Sequence, residues 1–426
     1  MTEAAESREA QRRPNGTEVR HMWDCGHPNP ALRGAGFPVL DDVRHSLIFA
    51  GERQAGAYNH HSKLTRHRGM FHAMWSNHPH GEDGPGQRVL YSHSSDGVRW
   101  SSSVELFPPM QPPRPNGENG LVLTAWRWVK YEGRLFATAM CNENIGFENP
   151  DGSEIVPQRD AGHRFLARRF FDGFCREIGE NGPICPPILP MGDKVPPPAP
   201  AFVSLYSDDE EAMRLGRRVR EEMCRPENTP SWNPPGISLP RGVDTLRLCE
   251  PTVYRARCGE YVMLLRDGEF SHRLYASFSD DGRRWSSAVP TDIPDSPSLS
   301  TTVALPNGSV LLVGNMVASD FDNAAEVRHY LRDPLVIAVS SDGSMFERAY
   351  ALRCGTQQWR TPREEVRGRN GGAQYPSCVV ENGILHVQYS MGKEDIWMSS
   401  VALACLGPDG GGSLNERGTG VRSQGP

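Results

Sequence analysis

One seven-residue pattern, Ser-x-Asp-Gly-x-x-Trp/Phe, occurs three times in the chain and constrains its fold more than any other feature. It spans residues 94–100, 279–285 and 340–346, and a short apolar segment precedes each copy. In such a turn the Asp carboxylate can accept backbone N–H groups, Gly can take a left-handed conformation and the aromatic ring can fill the space between sheets. Three matched copies predict a repeated β unit; residues 170–173 form a fainter fourth copy.

Five polar turns that end in glycine form a second repeat. An alternating apolar segment follows each turn, which is typical of a tight β-hairpin. In three cases the Asp-containing turn comes one strand later, which is the strand order of a four-stranded blade. The chain is therefore predicted to be all-β and to form a β-propeller. The glycines that end the five turns are Gly69, Gly133, Gly259, Gly308 and Gly383.

The spacing of the Asp turns gives an expected number of blades. Asp281 and Asp342 are 61 positions apart, and the 185 positions from Asp96 to Asp281 are close to three such periods, which predicts about six blades. Residues 207–224 begin with a Ser N-cap and run from acidic to basic, so they predict a helix. We expect a polar extension over residues 1–36, one propeller over 37–406 with a helical insertion at about 205–226, and a disordered tail over 407–426.

Charge and composition exclude several classes of function. The net charge is −6 and no Lys/Arg-rich block occurs, which argues against nucleic-acid and acidic-membrane partners. No apolar run approaches the ~18–20 residues of a membrane span, and the N-terminus lacks the apolar segment of a secretory leader. The ten cysteines are scattered without zinc-type spacing. We therefore expect a cytoplasmic monomer without disulfides or a cofactor, although a structural metal ion stays open.

A set of short motifs carries a family resemblance. The motifs are Tyr58-Asn-His-His61, Trp75-Ser-Asn77, Gly81-Glu-Asp-Gly-Pro-Gly-Gln87, Glu250-Pro-Thr-Val-Tyr254, Met263-Leu-Leu-Arg-Asp267, Arg332-Asp-Pro-Leu335, Gln374-Tyr-Pro376 and Tyr389-Ser-Met-Gly-Lys-Glu-Asp-Ile396. With them the chain resembles sialidase-like propeller enzymes that act on rhamnose–glucuronic acid linkages: α-L-rhamnosidases, L-rhamnose-α-1,4-D-glucuronate lyases and, more distantly, ulvan lyases. The resemblance implies seven blades, which we prefer to six. Exo-sialidases share the Asp turns but carry an early Arg-Ile-Pro segment that is missing here.

The candidate chemistry centres on four histidines within 21 residues of a polar region: His60, His61, His78 and His80. Loops that leave blade strands line one mouth of a propeller, where functional residues usually lie. β-Elimination at a uronate needs a neutral base near pH 7, a cation against the carboxylate and an acid for the leaving oxygen. Histidine has the most suitable pKa for the base.

These requirements assign provisional roles. His60 is the predicted base, because strand alternation should turn His60 and His61 to opposite faces so that only one points inward. Tyr58 or Tyr375 could supply the proton. A guanidinium could clamp the carboxylate bidentately. The predicted substrate-binding residues are Arg127, Arg168, Arg169, Glu82, Gln374 and Tyr375; no metal-ligand spacing is evident.

Three functions remain open from the sequence. The first is an L-rhamnose-α-1,4-D-glucuronate lyase that acts on a small glycoside or oligosaccharide. The second is an α-L-rhamnosidase-type or sialidase-like hydrolase, which would normally use two carboxylates. The third is a glycan-binding propeller without catalysis, in which the histidines are surface or packing groups. The carboxylate candidates for hydrolysis are Glu82, Asp83, Glu143, Glu250 and Asp267.

Overall fold

The computed structural model describes residues 11–12, 18–114, 119–145, 147–148, 154–155, 167–180, 182–225, 248–268, 271–317 and 332–407. Within this part of the chain, five antiparallel sheets surround a central channel as the blades of a β-propeller. Two further pairs of very short strands lie outside the blades, β1 (Gln11–Arg12) with β2 (Glu18–Val19), and β10 (Phe147–Glu148) with β11 (Glu154–Ile155).

Each blade runs from an innermost to an outermost strand. Blade 1 contains β4 (Tyr58–His67), β5 (Met70–His78), β6 (Arg88–Ser94) and β7 (Val104–Phe107). Blade 2 contains β8 (Gly120–Tyr131), β9 (Arg134–Ile145), β13 (Phe174–Ile178) and β14 (Ile184–Pro190), and β12 (Ala167–Phe170) pairs with the far end of β9. Blade 3 contains β15 (Leu248–Arg255), β16 (Tyr261–Asp267), β17 (Arg273–Ser279) and β18 (Val289–Pro294).

The last two blades complete the ring. Blade 4 contains β19 (Thr301–Ala304), β20 (Val310–Gly314), β21 (Leu335–Ser340) and β22 (Arg348–Arg353). Blade 5 contains β23 (Ala373–Glu381), β24 (Ile384–Met391) and β25 (Asp395–Ala402), and its fourth strand is β3 (Arg44–Phe49) from the other end of the chain. Pairing of β3 with β25 closes the propeller.

The prediction of seven blades is wrong, and so is the spacing estimate of six: the described residues form five. The interval from Asp96 to Asp281 covers two blades rather than three. Much of the extra length lies in residues 191–247, where the described part holds two helices, α1 (Pro200–Val203) and α2 (Glu210–Met223). The five glycine-ended turns each join the first two strands of one blade, so that repeat matches the observed number of blades.

The Asp turns join the third and fourth strands of blades 1, 3 and 4. In the first turn, the Asp96 carboxylate accepts hydrogen bonds from Val98 N and Arg99 N at 2.8 and 2.9 Å, and Gly97 has a φ of 69°. Asp281 makes the equivalent contacts at 2.8 Å. The structural role predicted for these turns is thus confirmed. Blade 5 has no such turn because its fourth strand does not follow its third in the chain.

The fainter copy at residues 170–173 is not an equivalent turn. It joins β12 to β13 inside blade 2, and Asp172 accepts a hydrogen bond from Lys194 N at 2.8 Å and pairs with Arg220 of α2 at 2.5 Å. The prediction of a fourth repeat was therefore wrong. Asp172 instead holds the segment around α2 against blade 2.

Hydrophobic clusters fill the spaces between blades 1 and 2, 3 and 4, 4 and 5, and 5 and 1. On its other side, blade 2 packs against α2 through Ala212, Val219 and Met223. The helix is capped by Asp209, which accepts a hydrogen bond from Ala212 N at 2.9 Å. At Gly216, an added Cβ would lie 1.9 Å from the carbonyl oxygen of Pro190, so the helix touches the blade backbone there.

The segment before β3 lies on the outer strands of blades 3 and 4. Arg20 forms a parallel bridge to Thr291, and Trp23 forms one to Phe346. Met22 and Trp23 are buried in the cluster between these blades. All ten cysteines are free thiols. Among the described residues, none of the helices has the length and apolar character needed to cross a membrane.

Candidate functional site

The entry ends of the innermost strands meet at one mouth of the channel, and three of them share an unusual backbone conformation. A β-bulge interrupts pairing in β4, β15 and β23. Within these bulges His61, Glu250 and Tyr375 have φ values of 53°, 52° and 55°. Left-handed backbone is uncommon for residues other than glycine and concentrates at functional sites. Because strand direction alternates within a blade, this mouth is opposite to the face with the Asp turns.

The bulge in β4 corrects the prediction that only one of the adjacent histidines faces inward. His60 Nε2 and His61 Nε2 each lie 3.9 Å from the same oxygen of Glu82. Simple alternation requires extended backbone, and the left-handed His61 breaks it. Both imidazoles therefore share one side of the strand, and their ring centroids are 4.6 Å apart.

Glu82 is the anionic partner of this pair, and Lys393 Nζ lies 2.6 Å from its second oxygen. Burial alone would raise the pKa of Glu82, but Lys393 and His61 oppose that effect and lower the pKa to about 2. Burial lowers the pKa of His61 to about 4, and it lowers the pKa of His60 well below the usual value, with help from Lys393. At neutral pH the site thus contains a carboxylate, an ammonium group and two neutral imidazoles.

His60 is held from two sides. Its Nδ1 lies 2.8 Å from the Ser390 hydroxyl, and its ring centroid is 4.0 Å from that of Tyr375. Its Nε2 is buried without a hydrogen-bond partner among the described residues. The ring of Tyr58 is also fully buried, with its centroid 6.0 Å from that of His60.

Tyr375 belongs to a second hydrogen-bonded group that spans three strands. Its hydroxyl donates a short hydrogen bond to Glu250. Arg266 Nη1 donates both to the Glu250 carboxylate, at 2.9 Å, and to the Tyr375 oxygen, at 3.0 Å. Burial and the neighbouring Glu250 raise the pKa of Tyr375 well above its usual value. The phenol is therefore protonated at rest and has a carboxylate positioned to take its proton.

Arg332 and Asp295 lie beside this group. The Arg332 guanidinium bonds to the Gln374 side chain and donates to Pro297 O at 2.8 Å, and its centre is 5.4 Å from the Tyr375 ring centroid. Asp295 is buried, and burial raises its pKa well above the usual value. This shift favours the protonated form of Asp295.

The structure brings together six of the predicted residues: Tyr58, His60, His61, Glu82, Gln374 and Tyr375. It places the others around or below them. His78 Nε2, at the end of β5, lies 3.3 Å from Pro85 O, and the ring of His80 in the following loop packs against the ring of His78. Arg168 pairs with Asp83 at 2.7 Å, and Arg169 pairs with Glu143 at 3.1 Å. Arg127 lines the channel below the mouth.

Three cations of the site had no role assigned from the sequence: Arg266, Arg332 and Lys393. Each lies in a motif that carries the family resemblance. Arg266 also follows the apolar run Val262–Leu265 in a buried strand, where a charged residue is unexpected unless it is paired. That local signal could have identified Arg266, whereas the contact between Lys393 and Glu82 joins blade 5 to a loop of blade 1.

His60, His61 and Glu82 also present three possible metal-ligand atoms within 4.8 Å of one another. Imidazole nitrogens with a carboxylate oxygen suit a divalent cation such as zinc. However, Lys393 already neutralises Glu82, and a dication would be repelled by this ammonium group. The charges therefore favour the arrangement without a metal.

Comparisons with known proteins agree with this architecture. A profile of the BNR repeat-like domain matches residues 200–387, and a profile of BT_1020-like N-terminal β-propellers matches residues 44–125. Among solved structures, a sialidase aligns with a TM-score of 0.62 and 19% identity over 90% of this chain. A protein of unknown function from Dyadobacter fermentans aligns with a TM-score of 0.50 and 16% identity, over 84% of this chain and 99% of its own.

These likenesses establish the fold as a sialidase-like β-propeller with BNR-type repeats. The chain covers only 35% of the sialidase. A search of the curated proteins found no match.

Proposed function

We propose that this sialidase-like β-propeller is a glycoside hydrolase that cleaves the linkage of an acidic sugar with Tyr375 as nucleophile. The observation that carries the proposal is the group formed by Tyr375, Glu250 and Arg266, in which a buried phenol donates to a buried carboxylate. Sialidases are glycoside hydrolases that use a tyrosine nucleophile. The fold shared with a solved sialidase supports the same assignment.

A neutral tyrosine suits a negatively charged sugar. An ionised carboxylate that approached an anomeric carbon beside a substrate carboxylate would meet like-charge repulsion. Tyr375 Oη can attack while its proton passes to Glu250, and the bond from the anomeric carbon to the leaving oxygen breaks. Water then attacks the anomeric carbon and the bond to Tyr375 Oη breaks. Glu250 returns its proton to the phenolate, and the proton lost by the water restores the acid that protonated the leaving oxygen.

The surrounding charges fit the remaining roles. The guanidinium of Arg332 lies against the Tyr375 ring and can bind a carboxylate bidentately. Arg266 contacts both the nucleophile and Glu250, so it can stabilise the phenolate as it forms. Asp295 is the candidate proton donor to the leaving oxygen, because burial raises its pKa and favours the protonated acid. We further propose that the substrate is a small glycoside or oligosaccharide. The protein would act on it as a monomer in the cytoplasm.

The test uses aryl glycosides of a nonulosonic acid and of uronic acids, with release of the aryl group as the readout. We expect turnover by the wild type and none by Tyr375→Phe, which keeps the ring but loses the nucleophilic oxygen. A fluorinated sugar that slows the second step should leave a covalent adduct on the peptide that contains Tyr375, detectable by mass spectrometry. The proposal would be contradicted if the Tyr375→Phe variant hydrolysed these glycosides as fast as the wild type.

The second candidate is the L-rhamnose-α-1,4-D-glucuronate lyase suggested by the family resemblance. The observation that favours it is His60, which is buried, neutral at pH 7 and in contact with Tyr375. These two side chains could act as base and acid in a β-elimination. With rhamnosyl-glucuronate oligosaccharides, a lyase gives the ultraviolet absorbance of an unsaturated uronate, whereas a hydrolase gives free rhamnose without it. Binding without either product would indicate a glycan-binding propeller.

A further inference from the structure

The channel below the three left-handed residues contains a cavity of about 260 Å³. Its walls come from the inner side of all five blades, and the lining positions follow His61, Glu250 and Tyr375 along their strands. The lining residues are 63–65, 126–128, 251–253, 299–302 and 376–377. This cavity therefore lies deeper in the propeller than the Tyr375 site.

The cavity is positively charged. Lys63 of β4 and Arg127 of β8 line it, and its lining contains no aspartate or glutamate. Within the described part of the chain, neither cation forms an ion pair with a carboxylate, and Arg127 Nε is buried without a hydrogen-bond partner. Burial and the adjacent Arg127 lower the pKa of Lys63 to about 8, and burial lowers that of Arg127 to about 10.

Two neighbouring cations in a partly dry cavity are unfavourable unless an anion joins them, because desolvation and mutual repulsion act in the same direction. The lining also offers neutral hydrogen-bond donors. The Ser377 hydroxyl accepts a bond from Leu64 N at 2.9 Å and retains its own proton to donate. Thr65 and Ser300 add further hydroxyl groups to the wall.

We propose that this channel is an oxyanion-binding site, in which Lys63 and Arg127 hold a phosphate, sulfate or carboxylate group. This anion site is separate from the Tyr375 group. Its proposed role is additional to the proposed hydrolase activity. Its ligand is either a free inorganic anion or the acidic group of a sugar. Lys63 and Arg127 supply the charge, and the hydroxyls complete the oxygen coordination.

The test measures the melting temperature of the full chain with sulfate, phosphate or glucuronate against potassium chloride of equal ionic strength. We expect a saturable rise for wild type with at least one of the three anions. Lys63→Gln and Arg127→Gln should each weaken the apparent affinity about tenfold or more, as expected for loss of a charged hydrogen bond. Lys130→Gln removes an exposed lysine from β8 and should keep the wild-type response.

A purely structural role for the two cations gives a different result. In chloride alone, Lys63→Gln should melt at the wild-type temperature or above it, because the substitution removes an unpaired charge. The anion effect should also weaken above about pH 8 as Lys63 loses its proton; Arg127 favours that loss and Glu250 opposes it.

Comparison of the responses to the three anions identifies the source of the ligand. A response to sulfate or phosphate indicates a free ion, and a response to glucuronate alone indicates the acidic group of a sugar. Equal responses of wild type and the Lys63→Gln/Arg127→Gln double variant, or no response at all, would overturn the proposal. Because Tyr375→Phe leaves the channel lining intact, it should keep the anion response, so failure of the hydrolase proposal is distinguishable.

Discussion

Glu250 is the residue on which the candidate site depends most, because its side chain joins Tyr375 to Arg266 in a buried position. Its left-handed backbone lets a carboxylate at the start of β15 reach the phenol of β23. The side chains of Glu250 and Arg266 are only 2% and 14% exposed. An ion pair at this depth is costly to break from one side, because the remaining charge stays buried.

Glu250→Gln should therefore destabilise the protein by about 3–5 kcal/mol, because it leaves the Arg266 charge unpaired. Urea unfolding measures this change. Tyr375→Phe is the matched control, since it removes the two hydrogen bonds of the phenol, to Glu250 and from Arg266, but keeps the ion pair, and it should cost about 2 kcal/mol. Equal costs for the two variants would show that the ion pair does not stabilise the fold.

At the level of single residues, part of the candidate site was predicted from the sequence. Tyr58, His60, His61, Glu82 and Tyr375 were named from their residue types and motifs, and the structure places them together. The orientation of His61 was predicted wrongly, because a bulge cannot be read from side-chain alternation alone. The partner of Glu82 was missed because Lys393 comes 311 positions later, and only ring closure brings the two together.

Among the elements, α2 shows how closely an insertion can pack against a blade. Gly216 lies in the helix, where alanine would ordinarily be more stable by about 1 kcal/mol. Here an added methyl group would meet the backbone oxygen of Pro190, which cannot move without disturbing β14. The contact between α2 and the backbone of Pro190 therefore leaves no room for a side chain at position 216.

Gly216→Ala should consequently lower the melting temperature, although it improves helix propensity. Arg214→Ala, on the exposed side of the same helix, is the control and should leave the melting temperature nearly unchanged. Thermal unfolding by circular dichroism measures both. A Gly216→Ala variant more stable than wild type would show that α2 does not pack against blade 2 as described.

The elements also show why the fold class was predictable and the number of blades was not. Hairpin turns and Asp turns are local signals, and the five hairpin turns and the three complete Asp turns were identified correctly. The spacing estimate assumed that all chain between two Asp turns forms blades, and the helices before β15 violate that assumption. The seven blades implied by the family resemblance were then preferred to a count of the five hairpins. That count gives the observed number of blades.

For the molecule as a whole, buried histidines couple stability to pH. Burial lowers the pKa of His61, His72, His78 and His386 to about 4. In an unfolded chain a histidine takes up its proton near pH 6.5. Between these values the unfolded state binds more protons, so stability is complete above about pH 6.5 and falls as the pH drops towards 4.

We therefore expect the melting temperature to decrease steadily from pH 6.5 to 4. His72→Gln, which can keep a hydrogen bond to the Tyr91 hydroxyl, should reduce the slope of this decrease. Carboxylates with lowered pKa values, such as Glu82, act at lower pH and do not explain a slope in this range. A flat profile between pH 6.5 and 4 would contradict the buried, neutral state of these histidines.

Closure of the ring by β3 has a consequence for the order of events during synthesis. The ribosome makes β3 before any blade, but its partner β25 begins only at residue 395. At about 5–20 residues per second, synthesis of β3 is complete roughly 20–70 s before synthesis of β25. Blades 1 to 4 can form while the nascent chain grows, whereas blade 5 and the Lys393–Glu82 contact must wait until β25 has been translated. The candidate site can therefore assemble only after all five blades have been made.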